Sequence, residues 1–149
     1  MLKKITALVT LVFCILASSA VAEYDGHYII PDSDTRRLTE AELWNYEYDT
    51  LGYVLNEIFA RHGYHFKSGG KYDQYFRSTD WYQESTRYAT NQEIYDYAIS
   101  STEWANESLV KKVREDMRRM NTTNPSGLSL EEVLSGTESC SQRARRNQQ

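Results

Sequence analysis

The sequence predicts an all-α domain, a small bundle of short helices with an extended N-terminal arm and a flexible polar C-terminal tail. Three observations carry this. Helix-start boxes of the form Ser/Thr-x-x-Glu occur at Thr39–Glu42, Thr90–Glu93, Ser100–Glu103 and Ser129–Glu132. Between them, apolar side chains recur three and four residues apart, the spacing of one helix face. Prolines number only two, β-branched runs are few, and no strand-like pattern is longer than Tyr28, Ile29 and Ile30.

Residues 1–22 read as a secretion signal. Lys3 and Lys4 precede a mostly apolar stretch, and Ala20, Val21 and Ala22 form an A-x-A cleavage site. The apolar stretch falls short of the roughly 18 residues of a membrane span, and Cys14 follows the bulky Phe13, which does not suit a lipoprotein anchor. Cleavage after Ala22 would leave 127 residues, enough for one domain. These carry 15 basic and 21 acidic side chains, a net charge of −6. That acidity argues against nucleic acid or anionic lipid as a partner, because both need a basic footprint. Cys140 would then be the single cysteine, so an internal disulfide is excluded even in an oxidising compartment.

Residues 23–38 read as an extended arm, with Tyr28 to Ile30 packing on the core and Asp32-Ser33-Asp34 as a turn. The helical domain is expected over residues 39–120. Leu38 and Leu43 flank the first box as a hydrophobic staple. The central helix is expected over 50–62, because Leu51, Leu55, Ile58 and His62 share a face that Val54 and Phe59 widen. Gly63 stands where a left-handed residue ends a helix. Tyr72, Tyr75 and Phe76 fit one helical turn, with Trp81-Tyr82 behind them. A short helix is expected over 93–99. A longer one, over 104–120, has Leu109, Val113, Met117 and Met120 as its apolar stripe, with Glu107–Lys111, Lys112–Asp116 and Glu115–Arg119 as i,i+4 pairs on a solvated face. Asn121 to Gly127 (NTTNPSG) reads as a linker. A short capped helix and a polar tail with Arg143, Arg145 and Arg146 complete residues 121–149.

The stretch Asn56-Glu57-Ile58-Phe59-Ala60-Arg61-His62-Gly63 resembles the name motif of the bacterial YARHG-domain family, Tyr-Ala-Arg-His-Gly within a longer Asn-Glu-Ile-x-Ala-Arg-His-Gly pattern. Phe59 replaces the motif tyrosine. The trailing Phe66, Tyr75-Phe76 and Trp81-Tyr82 also fit, as do Arg37-Leu38-Thr39 and Leu43 upstream, so the resemblance spans residues 35–99. It implies a small, exported, helical module that accompanies other envelope modules, and it implies no particular reaction. A hydroxyl acting in relatives at position 59 would be missing here, whereas a ring that only packs would be preserved.

Two readings of the motif compete. In the structural one, His62 is mostly buried and bonds a carbonyl or carboxylate, Glu57 and Arg61 pair along the helix or Arg61 turns inward, and Asn56 bonds a neighbouring backbone. Asn56, Arg61 and His62 then latch the loop after the helix. In the other, Glu57, Arg61 and His62 are working polar groups, which requires a cleft and a partner acid. The structural reading is preferred.

No metal site is expected. His62 and His65 are separated by Gly63, His27 is remote, and no HExxH or cysteine pair exists. No G-x-S-x-G is present, and Cys140 has no fixed base. No cofactor is expected either. The tyrosines are more numerous than a small core needs, so Tyr72, Tyr75, Trp81 and Tyr82 are candidates for an aromatic binding surface. The sequence therefore points to an exported, periplasmic or secreted binding module. Its partner would be an envelope protein or cell-wall glycan, with no nucleic acid and no membrane span. The alternative is a cell-wall-directed hydrolase using Glu57, Arg61 and His62.

Overall fold

A computed structural model describes residues 28–136. The stretch that reads as a secretion signal, the basic tail and Cys140 lie outside those residues. The described chain is helical, with no strand beyond an isolated bridge between Tyr46 and Leu128. Its helices are α1 (Glu40–Leu43), α2 (Tyr48–Ala60), α3 (Lys71–Ser78), α4 (Asn91–Tyr97), α5 (Ser101–Arg119) and α6 (Leu130–Ser135). Among the described residues no helix is long and apolar enough to cross a membrane.

The boxes open helices as expected at Thr90, Ser100 and Ser129, where the hydroxyl and the glutamate satisfy each other's backbone N–H groups. The first box is only half made. Thr39 accepts from the Glu42 N–H, but the Glu42 carboxylate is taken by Arg36, at 2.5 and 2.9 Å, and does not turn back to the cap. A charge-assisted pair outcompetes a neutral N–H for the same carboxylate.

Helices α2 and α5 are the principal packed pair. Leu51 and Val54 of α2 meet Val110, Val113 and Met117 of α5, with Leu38, Leu43, Ile29 and Ile30 closing the cluster. The arm thus packs as expected, and the turn at residues 32–34 is present, with Ser33 N–H bonding Ile30 O. A second cluster sets Ala60 against Phe76 and Tyr82, rimmed by Phe66, Tyr72, Tyr75 and Trp81.

Four expectations need correction. Helix α2 begins at Tyr48, before the anticipated position 50, and has no side-chain cap. The Glu47 and Tyr48 N–H groups bond Leu128 O and Thr123 O, so the chain after α5 caps it. That stretch was read as a linker. It is tied further by Asn124, whose amide donates to Trp44 O and Tyr46 O. A Cβ on Gly127 would come within 2.5 Å of the Tyr46 backbone, so glycine lets the two segments meet. On α5 the inward stripe is Val110, Val113 and Met117. Leu109 is only partly buried and Met120 is 59% exposed. The same stripe continues toward the N-terminus as Glu103, Asn106 and Glu107, all buried, so in the Glu107–Lys111 pair only Lys111 is solvated. Asn106 repays its burial by accepting from Leu38 N–H and donating to Ser33 O and Arg36 O. Periodicity of apolar residues cannot reveal an inward face made of polar ones.

Candidate functional site

Helix α2 ends in a Schellman arrangement. The Gly63 N–H bonds Ala60 O and the Tyr64 N–H bonds Phe59 O, while the Phe59 and Tyr64 rings meet with centroids 5.7 Å apart. Gly63 has φ 75°, and a Cβ there would lie 2.5 Å from Ser85 N. The glycine is required both by conformation and by contact. Ser85 N–H bonds Gly63 O at 2.8 Å, which is why the 83–85 segment approaches so closely.

The motif residues leave this helix end in different directions. Glu57 is buried, about 1% exposed, and its carboxylate receives the N–H groups of Ile29 (2.5 Å) and Ile30 (3.2 Å). Arg61 Nη2 donates to Ile30 O, Pro31 O and Glu57. The guanidinium lies over the Tyr28 ring, 3.9 Å from its centroid, which covers an Nε that has no acceptor among the described residues. Burial pushes the Glu57 carboxyl above the usual carboxylate range, against the lowering effect of the arm's N–H groups and Arg61. Glu57 and Arg61 therefore clamp the N-terminal arm.

His62 reaches elsewhere. Its Nε2 lies 2.6 Å from Glu103 Oε1, on the first turn of α5. The other oxygen of Glu103 accepts the Ser100 N–H at 2.8 Å, completing the capping box. Burial works to raise the Glu103 pKa, but the bonds from His62 and Ser100 outweigh it and hold the group below the usual range. Glu103 is thus ionised at neutral pH and accepts only, so His62 carries a proton on Nε2.

Asn56, Arg61 and His62 do not latch the loop after the helix as expected. Arg61 grips the arm and His62 grips α5. Asn56 donates to Gly52 O of its own helix at 2.7 Å. The loop after α2 is held by others. Asn91 exchanges bonds with the His65 backbone N–H and C=O, His65 Nε2 meets Ser85 O, and the Tyr82 hydroxyl donates to Tyr64 O. Burial pushes the Tyr82 phenol up to about 12, so it remains a donor.

Arg61, His62 and Glu103 line a cleft of about 440 Å³ together with Tyr28, Asp34, Ala98 and Ser100. Arg61 Nη1 faces Asp34 Oδ2 across 3.6 Å. The cleft and the partner acid demanded by the second reading of the motif are therefore both present. Glu57 does not line it. Glu103 and Asp34 were missed in the sequence. In the sequence Glu103 reads as a cap and Asp34 as a turn residue.

The four aromatic candidates form part of the second core cluster. Tyr82 is buried, so it is not a surface ring, and Tyr72, Tyr75 and Trp81 are half-buried against it and Phe76. The most exposed ring among the described large hydrophobics is Tyr97, at 75%, followed by Trp104, which packs on Tyr95 and Phe59. Phe59 is itself buried between Tyr64, Tyr95 and Trp104, a packing role that needs no hydroxyl. Among the described residues no group of three or more His, Cys, Asp or Glu side chains could hold a metal ion.

No curated protein and no solved structure matches the chain. A family model does, and it takes in the arm that Glu57 and Arg61 clamp, the helix that bears them and most of the helix that supplies Glu103. The chain belongs to the YARHG-domain family, matched over residues 26–115.

Proposed function

We propose that this chain is an exported, non-catalytic binding module of the cell envelope, and that it takes an envelope protein or cell-wall glycan at the cleft between the arm and the α4–α5 corner. The observation that carries this is how the motif's polar groups are used. Glu57 and two of Arg61's hydrogen bonds hold the arm, and His62 and Glu103 hold each other. Groups committed to the fold are poor candidates for moving protons. They do make rigid walls for a cleft whose volume suits a small ligand or one end of a larger one. The exposed Tyr97, adjacent in sequence to the lining residue Ala98, offers a ring for a sugar face or an apolar side chain.

The test is a titration of the isotope-labelled mature domain with soluble wall fragments and with envelope extract fractions, followed by amide shifts. Saturable shifts at residues 34, 61–62 and 98–103 are expected. Shifts confined to the α3 aromatics, or none, would overturn the assignment of the cleft.

One observation favours the hydrolase alternative. Glu103 Oε1 lies 2.6 Å from His62 Nε2, so a carboxylate orients a histidine that lines the cleft. Product release from wall fragments that disappears in His62→Ala while the variant stays folded would put that reading first.

A further inference from the structure

We infer that the cleft is built for an α-ammonium carboxylate, the zwitterionic group of a free amino acid or of a peptide side chain that ends in one. The inference rests on the reading of the cleft as a binding site and names the chemistry it selects.

Arg61 lines the cleft with its side chain only 10% exposed. Its Nη2 is engaged by the arm and by Glu57, whereas Nη1 makes no hydrogen bond among the described residues. Asp34 Oδ2 stands off from Nη1 at 3.6 Å, beyond hydrogen-bond reach. By contrast, Arg36 closes on Asp32 at 2.6 Å in the same turn region. Asp34 is 42% exposed and has no other ion-pair partner among the described residues. The cleft thus presents one donor-only cation and one acceptor-only anion side by side, neither fully satisfied. Glu103 adds a second negative charge to the lining.

A plain anion would meet Arg61 but be repelled by Asp34 and Glu103. A plain amine would meet the carboxylates but be repelled by Arg61. A ligand with a carboxylate and an ammonium on one carbon lies antiparallel to the Arg61–Asp34 pair and satisfies both. Its carboxylate takes the Nη1 protons, and its ammonium donates to Asp34. Complementarity of this kind sets selectivity more than affinity, so weak, group-specific binding is expected.

The experiment is a set of amide-shift titrations of the mature domain with four probes: alanine, acetate, methylamine, and a blocked peptide carrying an α-ammonium carboxylate at the end of one side chain. Wild type is compared with Asp34→Asn. Alanine or the peptide should shift residues 34, 61–62 and 98–103, and the tighter of the two identifies the source. Acetate and methylamine should bind at least about tenfold more weakly. Asp34→Asn should lower affinity about tenfold, the scale of one charge-assisted bond, with an unchanged melting temperature. The inference is overturned if acetate or methylamine binds as tightly as alanine, if Asp34→Asn has no effect, or if neither alanine nor the peptide binds. In that last case, wall fragments lacking the group that still shift the cleft would leave the binding reading standing. Silence from every probe and fragment would remove both.

Discussion

His62 Nε2 and Glu103 Oε1, 41 residues apart in sequence, meet at 2.6 Å and join the end of α2 to the beginning of α5. One carboxylate thereby completes the capping box of one helix and anchors the last turn of another. Removing His62 leaves a buried carboxylate short of a partner. His62→Ala should lose on the order of 2–3 kcal/mol, read as a lowered urea midpoint with unchanged slope. A variant as stable as wild type would move His62 from holding the fold to chemistry.

The same pair sets a pH dependence. The folded pKa of Glu103 lies below its unfolded value, so its contribution is complete above the unfolded pKa and is lost as pH falls through the folded one. Glu57, raised by burial, works in the opposite sense and favours the folded state on acidification. Comparing urea midpoints of wild type and Glu103→Gln from pH 7 downward isolates Glu103. The difference should be largest near neutrality and shrink below the ordinary carboxylate range. A constant difference would contradict the assignment.

Gly63 and Gly69 both have positive φ, at 75° and 73°, but differ in surroundings. A Cβ on Gly63 meets the Ser85 backbone, whereas one on Gly69 meets nothing within 4 Å. Gly69→Ala should therefore cost only the left-handed strain, about 1 kcal/mol. Gly63→Ala should cost about 2 kcal/mol or more, since it also displaces backbone. Equal losses in thermal melts would mean that the 83–85 segment yields freely.

Ending the chain after Met120 would strip the caps from the start of α2, together with the Asn124 bonds to Trp44 O and Tyr46 O. Each lost bond is worth about 1 kcal/mol. The truncated domain should melt several degrees lower, and Asn124→Ala alone should show part of that loss. A truncation that melts like the full domain would restore the linker reading of residues 121–127.

Much of the motif's local behaviour was legible in the sequence. The stop at Gly63, the boxes at Thr90, Ser100 and Ser129, and the burial of Leu38, Leu43 and Phe59 rest on interactions spanning a few residues, and side-chain spacing reports these directly. The carboxylate partner anticipated for His62 is present, but its identity was not readable. Nor was the destination of Arg61, expected on Glu57 or the loop after the helix and found on Ile30 and Pro31 as well as Glu57.

The sequence by itself determined an all-α chain, the approximate helix starts, the acidic balance and the family motif, because capping, periodicity and composition are local or additive properties. Tertiary structure decided that Glu57 clamps the arm 27 and 28 residues before it, that Glu103 rather than a loop carbonyl receives His62, and that Asp34 faces Arg61 across a cleft. The physical reason is burial. A carboxylate in a helical face looks solvated in any periodicity analysis. Only the packing of α2, α5 and the arm removes its water and selects which N–H groups replace it.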